Sequence, residues 1–185
     1  MEKPYKQNVF NSQLLNSLSK DLSNELNISS YLQHDSEFHI RPLSISDYNK
    51  GYISLMSQLT SVGNVDEEMF INNFYSMLNC PDTYYICVIE DTNKLSVIAS
   101  GTLLIEKKFI HQCLNRGRIE DIVVDKDYRH MKFGKLLVSL LTALSKYLNC
   151  YKVSLDCKEA LIPFYEKSGY NLDSSNYFMS IRYKD

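Results

Sequence analysis

Residues Ile119 to Asn149 read IEDIVVDKDYRHMKFGKLLVSLLTALSKYLN. The run opens with a short apolar strand, Ile119-Glu120-Asp121-Ile122-Val123-Val124, and passes into turn-forming Asp125-Lys126-Asp127-Tyr128. A basic, glycine-containing loop follows, Arg129-His130-Met131-Lys132-Phe133-Gly134. Beyond it, apolar residues at 136, 137, 140, 141, 144 and 148 keep helical spacing. A strand that runs through such a loop into a helix aims several backbone N–H groups and the positive helix end at one spot, a geometry that suits phosphate. Arg129, Lys132 and Lys135 add positive charge there. The same pattern also suits an ordinary strand–turn–helix with a solvated basic turn, because neither a GxxxxGK[ST] loop nor a GxGxxG fingerprint is present.

Outward from this stretch the pattern is mixed. Phe38 to Leu43 reads as a first strand, closed by Arg41-Pro42. Ser46 can cap a helix from Asp47 to about Leu59, with Tyr52, Ile53, Met56 and Leu59 inward. Asn64 or Asp66 can cap a second, with Met69, Phe70, Phe74 and Met77 as its buried stripe. Tyr84 to Glu90 and Leu95 to Glu106, joined by Asp91-Thr92-Asn93-Lys94, read as an antiparallel hairpin. Lys107 to Arg118 reads as a polar connection. After the central helix, Cys150 to Cys157 alternates apolar and polar residues as a strand does. A short helix is expected around Leu161 to Ser168, with Pro163 in its first turn and Gly169 at its C-cap. Tyr177 to Tyr183 reads as a last strand. The order is β, α, α, β, β, β, α, β, α, β, an α/β chain with a largely antiparallel sheet and one β–α–β crossover.

The 185 residues suit one domain with a proper core. A net charge of −2 gives no global pull toward nucleic acid or anionic membrane, so any anion site is local. No apolar run approaches the ~18 residues of a membrane span, and no apolar secretory segment opens the chain. Five cysteines without C-x-x-C or zinc spacing, and four scattered histidines, lead us to expect a cytoplasmic protein with reduced thiols and no metal. In residues 1–36, Leu14, Leu15, Leu18, Leu22 and Leu26 have helical spacing, while the polar content equally suits a loose tail. We therefore expect an N-terminal extension over 1–36, partly helical or flexible, and a single folded domain over 37–185.

The loop resembles the acetyl-CoA-binding core of the GNAT acyltransferases, whose signature Arg/Gln-x-x-Gly-x-Gly/Ala lies between the fourth strand and the next helix. Arg129 and Gly134 match it, and Lys132 stands where the first glycine usually is. Five blocks narrow the resemblance: Lys108-Phe109-Ile110-His111, Arg116-Gly117-Arg118-Ile119-Glu120-Asp121, Gly134-Lys135-Leu136-Leu137, Leu148-Asn149-Cys150-Tyr151-Lys152, and Phe164-Tyr165-Glu166-Lys167-Ser168-Gly169-Tyr170. In this order, from about Ile40 to Arg182, they closely resemble the glucosamine-6-phosphate N-acetyltransferase family. The resemblance implies the GNAT fold, with a mixed, mostly antiparallel sheet flanked by helices and with its fourth and fifth strands splayed around acetyl-CoA. It also implies acetyl transfer from acetyl-CoA to the amine of D-glucosamine 6-phosphate, a step toward UDP-N-acetylglucosamine, in a homodimer that shares its active sites.

Residue by residue, the resemblance implies a pyrophosphate cradle from Arg129, His130, Met131, Lys132, Phe133, Gly134 and Lys135. The backbone of Ile122, Val123 and Val124 would pair with the pantetheine arm. Tyr165 would protonate the leaving thiolate, its phenol having an ordinary pKa of about 10. Asp156 would position or deprotonate the amine, and Glu120 and Asp121 would contact the sugar. Lys108 and His111, in the segment Lys108-Phe109-Ile110-His111, would meet the phosphate with Lys152 and Arg182, beside Tyr151; Thr60 would touch the sugar. Tyr151, Lys152 and Arg182 would reach across the dimer. Many relatives carry an Asn where this chain has Leu161. Two other readings stay open: a GNAT enzyme acting on a polyamine or protein amine, and an acyl-CoA-binding module without catalysis.

Overall fold

The computed structural model describes residues 7–22, 28–33 and 35–183. Leu26 and His34 lie outside the described residues, as does the side chain of Leu22. A five-stranded sheet runs in the order β1 (Phe38–Pro42), β2 (Tyr84–Asp91), β3 (Ser96–Glu106), β4 (Asn115–Val124), β5 (Cys150–Ser154). The first four strands are antiparallel neighbours, and β5 lies parallel to β4. A parallel pair needs a crossover, supplied here by α5 (Phe133–Tyr147). The mixed, mainly antiparallel sheet expected from the sequence is therefore present.

Strand alternation divides the core into two layers. On one face Cys87, Ile89, Ile98, Leu103 and Ile119 pack with Leu137, Leu140, Leu141 and Leu144 of α5. On the other, Ile86, Val88, Val97 and Val123 meet Tyr52 and Leu55 of α2 (Tyr52–Met56) and Phe70 and Phe74 of α3 (Glu67–Leu78). The N-terminal segment forms α1 (Gln13–Leu22). Its Leu15 and Leu18, with Ile28, join the same apolar cluster as α5, so the helical spacing is realised over Gln13–Leu22.

Several local expectations are corrected. A 3-10 turn over Ile45–Lys50 is capped by Ser44 rather than Ser46: Asp47 Oδ2 accepts from the Ser44 N–H at 2.8 Å. Gly51, at φ 81°, separates that turn from the short α2, leaving Leu59 exposed. In α3 the cap is Asp66, which accepts from Met69 N at 2.8 Å, but Met69 itself faces solvent. β4 starts at Asn115, earlier than expected, and β5 stops at Ser154. The connection before β4 contains α4 (Ile110–Cys113), which is no regular helix: His111, Gln112 and Cys113 have φ of 51°, 59° and 62°. Tyr177 to Tyr183 forms no strand. A strand persists only as part of a hydrogen-bonded ladder, and among the described residues none pairs with this segment.

One buried ionic cluster fastens β1 and β2 to the turn after β1. Arg41 grips Asp47 with two N–H groups at 2.7 Å and reaches Glu90 Oε2 at 2.8 Å; Lys50 adds a 2.5 Å contact to Glu90. Burial raises the Glu90 carboxyl, but Lys50 and Arg41 outweigh that and hold it below the usual range. Removing Arg41 would strand the buried Asp47 carboxylate and leave Glu90 to Lys50 alone, so Arg41→Met is expected to cost about 3–5 kcal/mol at pH 7. Because the folded Glu90 pKa is lowered, its contribution is complete above the ordinary value of about 4.3 and is lost as pH falls through the folded value. Urea unfolding of both proteins should therefore show the gap narrowing near pH 4.

Candidate active site

β4 and β5 pair from Asn115↔Cys150 to Arg118↔Ser154. Past Arg118, β4 runs on to Val124 against β3, and among the described residues no strand pairs its β5 side. The two strands thus open into a cleft. A bulge between Ser100 and Thr102 of β3 accompanies the opening, with Asp121 at φ 54° on β4. Gly101 permits it: a Cβ there would stand 2.5 Å from Ile122 Cδ1 and 3.0 Å from Leu141 Cδ1.

The basic loop lies at the end of β4. It is a 3-10 turn over Lys126–Met131, capped by Asp125, whose side chain accepts from Asp127 N at 2.9 Å. Arg129 Nε donates to Val124 O at 3.3 Å, and the side chain stays exposed with His130, Met131, Lys132 and Lys135. Lys132 adopts φ 62°, ψ 19° at the N-cap of α5. The conformation that glycine favours is retained without glycine, at a cost of about 1–2 kcal/mol. The Phe133 side chain is corrected: it is buried against Phe38 and Tyr31, leaving only its backbone to the loop. Ile122 and Val124 likewise turn their side chains into the core, and Val123 into the opposite layer.

Tyr165 lies on α6 (Ile162–Glu166), which has Pro163 in its first turn. The preceding Phe164 ring comes within 3.6 Å of where a Cβ on Gly134 would be, so α6 abuts the start of α5. Tyr165 is only 9% exposed, and its hydroxyl has no hydrogen bond among the described residues. It faces a recess of about 250 Å³ lined also by Ser154, Leu155, Cys157, Ile162 and Tyr170. Burial, with Cys157 and Tyr170 nearby, raises its pKa, so the phenol keeps its proton at neutral pH and can donate it to an anion.

The carboxylates share one cation that sequence reading had not singled out. Arg118 donates to Glu120 from Nε and to Asp156 from Nη2. The available signal was strand spacing: Arg118 and Glu120, two residues apart, share a face of β4. Asp121 retains open surface, yet loss of hydration, and then the charge of Glu120, raises its carboxyl above the usual range.

A second group gathers nearer the start of β4. The rings of His111 and Tyr151 stack at 4.0 Å, and Lys152 Nζ lies 5.9 Å from the Tyr151 ring centre. Lys108 pairs with Glu106 at 2.5 Å, and Arg116 reaches the same carboxylate at 3.8 Å. Lys152 is in register with Arg116. Arg116 and Glu120 are four positions apart, or ~13 Å along a strand. Phe109 and Ile110 project into solvent, and Thr60 is exposed in the turn after α2. Arg182 lies on the exposed C-terminal segment and takes no part in the contacts that join the other cations. A larger cavity, of about 780 Å³, lies between the N-terminal segment and β1; its Arg41, Lys50 and Glu90 already satisfy one another.

Among the described residues no group of side chains could hold a metal ion, and no helix is long and apolar enough to cross a membrane. The sequence pattern of the Acetyltransferase (GNAT) family matches residues 50–170. A probable glucosamine 6-phosphate N-acetyltransferase of Drosophila melanogaster is 46% identical over 147 residues, spanning 79% of this chain and 67% of that protein. The glucosamine 6-phosphate N-acetyltransferase of Arabidopsis thaliana is 42% identical over 144 residues, 76% of this chain and 97% of its own. The crystal structure of the Arabidopsis thaliana enzyme superposes with a TM-score of 0.76 at 41% identity, covering 80% of this chain and 99% of that one. The chain belongs to the acetyltransferase (GNAT) family, in its glucosamine 6-phosphate N-acetyltransferase branch.

Proposed function

We propose that this protein transfers the acetyl group of acetyl-CoA to the amine of D-glucosamine 6-phosphate, releasing N-acetyl-D-glucosamine 6-phosphate and CoA. The observation that carries the reading is the open β4 edge together with the largely buried Tyr165, whose hydroxyl makes no hydrogen bond among the described residues. The acceptor follows from the activity for which the relatives are named. Residues 37–185 form the catalytic unit, and residues 1–36 an extension whose Leu15, Leu18 and Ile28 pack on it. The loop from Arg129 to Lys135 holds the pyrophosphate with exposed cations and backbone N–H groups. The backbone of Ile122, Val123 and Val124 receives the pantetheine amides as an added strand would.

The acceptor amine attacks the thioester carbonyl in a ternary complex. A backbone N–H of the β4 segment stabilises the oxygen as it gains charge. The new C–N bond forms, the C–S bond breaks, and the thiolate takes the Tyr165 proton. Asp156 and Glu120 orient the amine and sugar hydroxyls and accept the ammonium proton, with Arg118 fixing their positions. Asp121 and Thr60 add sugar contacts. Lys108, His111 and Lys152 meet the phosphate.

The same reading makes the protein a cytoplasmic homodimer. In residues 177–183, Tyr177, Met179, Ile181 and Tyr183 are 79–89% exposed and alternate with Phe178, Ser180 and Arg182. This is a strand pattern without a strand partner among the described residues, and a second copy supplies one. The arrangement carries Arg182 to the partner's phosphate site, along with Tyr151 and Lys152.

CoA thiol release should be fast with glucosamine 6-phosphate and slow with glucosamine, spermidine or a lysine peptide. Release only with one of the last two would overturn the acceptor, and none at all with bound CoA would leave a binding module. Tyr165→Phe should lower kcat by about 10²-fold with KM values nearly unchanged; an unaltered kcat removes Tyr165 from the chemistry. Light scattering should give twice the 21.5 kDa chain mass, and Arg182→Ala should raise KM about tenfold for the phosphosugar but not for acetyl-CoA.

A further inference from the structure

Gln58 lies two residues past the end of α2 and outside every site motif. Its side chain spans 67 residues of sequence to the start of the basic loop. Nε2 donates to Asp125 Oδ2 at 2.7 Å, and Oε1 accepts from Lys126 N at 2.9 Å. The amide orientation is fixed by chemistry, since a backbone N–H can only donate and a carboxylate can only accept. Asp125 is fully used in turn: its other oxygen accepts from Asp127 N, and its own N–H donates to Ile98 O at 2.8 Å. Asp125 caps the 3-10 turn that carries Arg129, His130 and Met131. Gln58 therefore holds the first residues of the cofactor loop against the end of α2.

The other side of Gln58 is equally constrained. Its N–H donates to Leu55 O at 3.0 Å, and Leu59 and Thr60 both donate to Met56 O, at 3.0 and 3.3 Å. Leu55 is anchored in the core. Thr60 is thus locked to the turn whose side chain grips Asp125. Hydrogen bonds and the short backbone between them run from Thr60 through Gln58 to Asp125 and Lys126.

We infer that Gln58 is a positioning residue that couples the acceptor segment around Thr60 to the cofactor loop, so that each substrate tightens binding of the other. The inference rests on the acetyltransferase reading above. Thermodynamic linkage requires the effect to be reciprocal, and couplings of this kind are typically about 5–150-fold.

The test is calorimetry on the full chain, with CoA as the probe, in the absence and presence of saturating glucosamine 6-phosphate. Wild type should bind CoA at least about fivefold more tightly when the phosphosugar is present. In Gln58→Leu that ratio should fall to about one, and KM for the phosphosugar should rise although Gln58 does not touch it. Gln58→Glu should behave the same way, because it sets a second carboxylate against Asp125. The double variant Gln58→Glu/Asp125→Asn swaps donor and acceptor while keeping net charge, and it should restore the ratio. Thermal unfolding of each variant separates loss of coupling from loss of fold. An equal ratio in wild type and Gln58→Leu, or no rescue in the folded double variant, overturns the inference. If wild type binds both ligands without mutual tightening, the inference fails alone. If wild type binds neither, the acetyltransferase reading fails and takes the inference with it.

Discussion

A strand in the middle of this sheet is paired on both sides for only part of its length. β4 has β3 on one side throughout, but it leaves β5 after Arg118↔Ser154. Unpaired backbone groups at a sheet edge invite an added strand. Most proteins confine such edges to the sheet margin; here one opens in the interior. The bulge opposite Gly101, the left-handed Asp121, and the crossover through α5 all maintain the opening. In the proposed reaction, the extended amide arm of the cofactor fills it.

Charge is used in two ways around this frame. Arg41 is buried and satisfied by Asp47 and Glu90, and it closes the far side of the sheet without any open position. Arg118 sits where the strands part and spans Glu120 and Asp156, both of which keep contact with solvent. The first arrangement holds the fold together. The second holds two carboxylates at fixed positions where the strands part, and in the proposed reaction these orient the acceptor amine. Lys132 belongs to neither: its backbone conformation serves the loop, and its side chain adds exposed charge.

Much of the fold was legible because it depends on local rules. Helical spacing in α5, alternation in β2 and β3, and the turn residues at 91–94 are readable residue by residue. The missed features depend on distant partners. Leu59 and Met69 fit an apolar stripe but face solvent, because Gly51 shortens α2 and the sheet fills only part of α3. Tyr177 to Tyr183 has a strand pattern, yet a strand needs a neighbour, and none of the described residues provides one. The proposed site divides in the same way: Tyr165 and the loop lie in sequence blocks that carry the family resemblance, whereas the contacts of Arg118 and Gln58 span 38 and 67 residues.

The sequence by itself determined the strand–loop–helix at 119–149, the family resemblance and the chemical types at the site, because periodicity and motif spacing are written in neighbouring residues. Only the tertiary structure decided where β4 and β5 part, that Lys132 takes the conformation of the missing glycine, and that Phe133 faces the core. It also decided which carboxylates share Arg118. Those outcomes depend on packing and hydrogen bonding between segments far apart in the chain, and no local pattern encodes which partner wins.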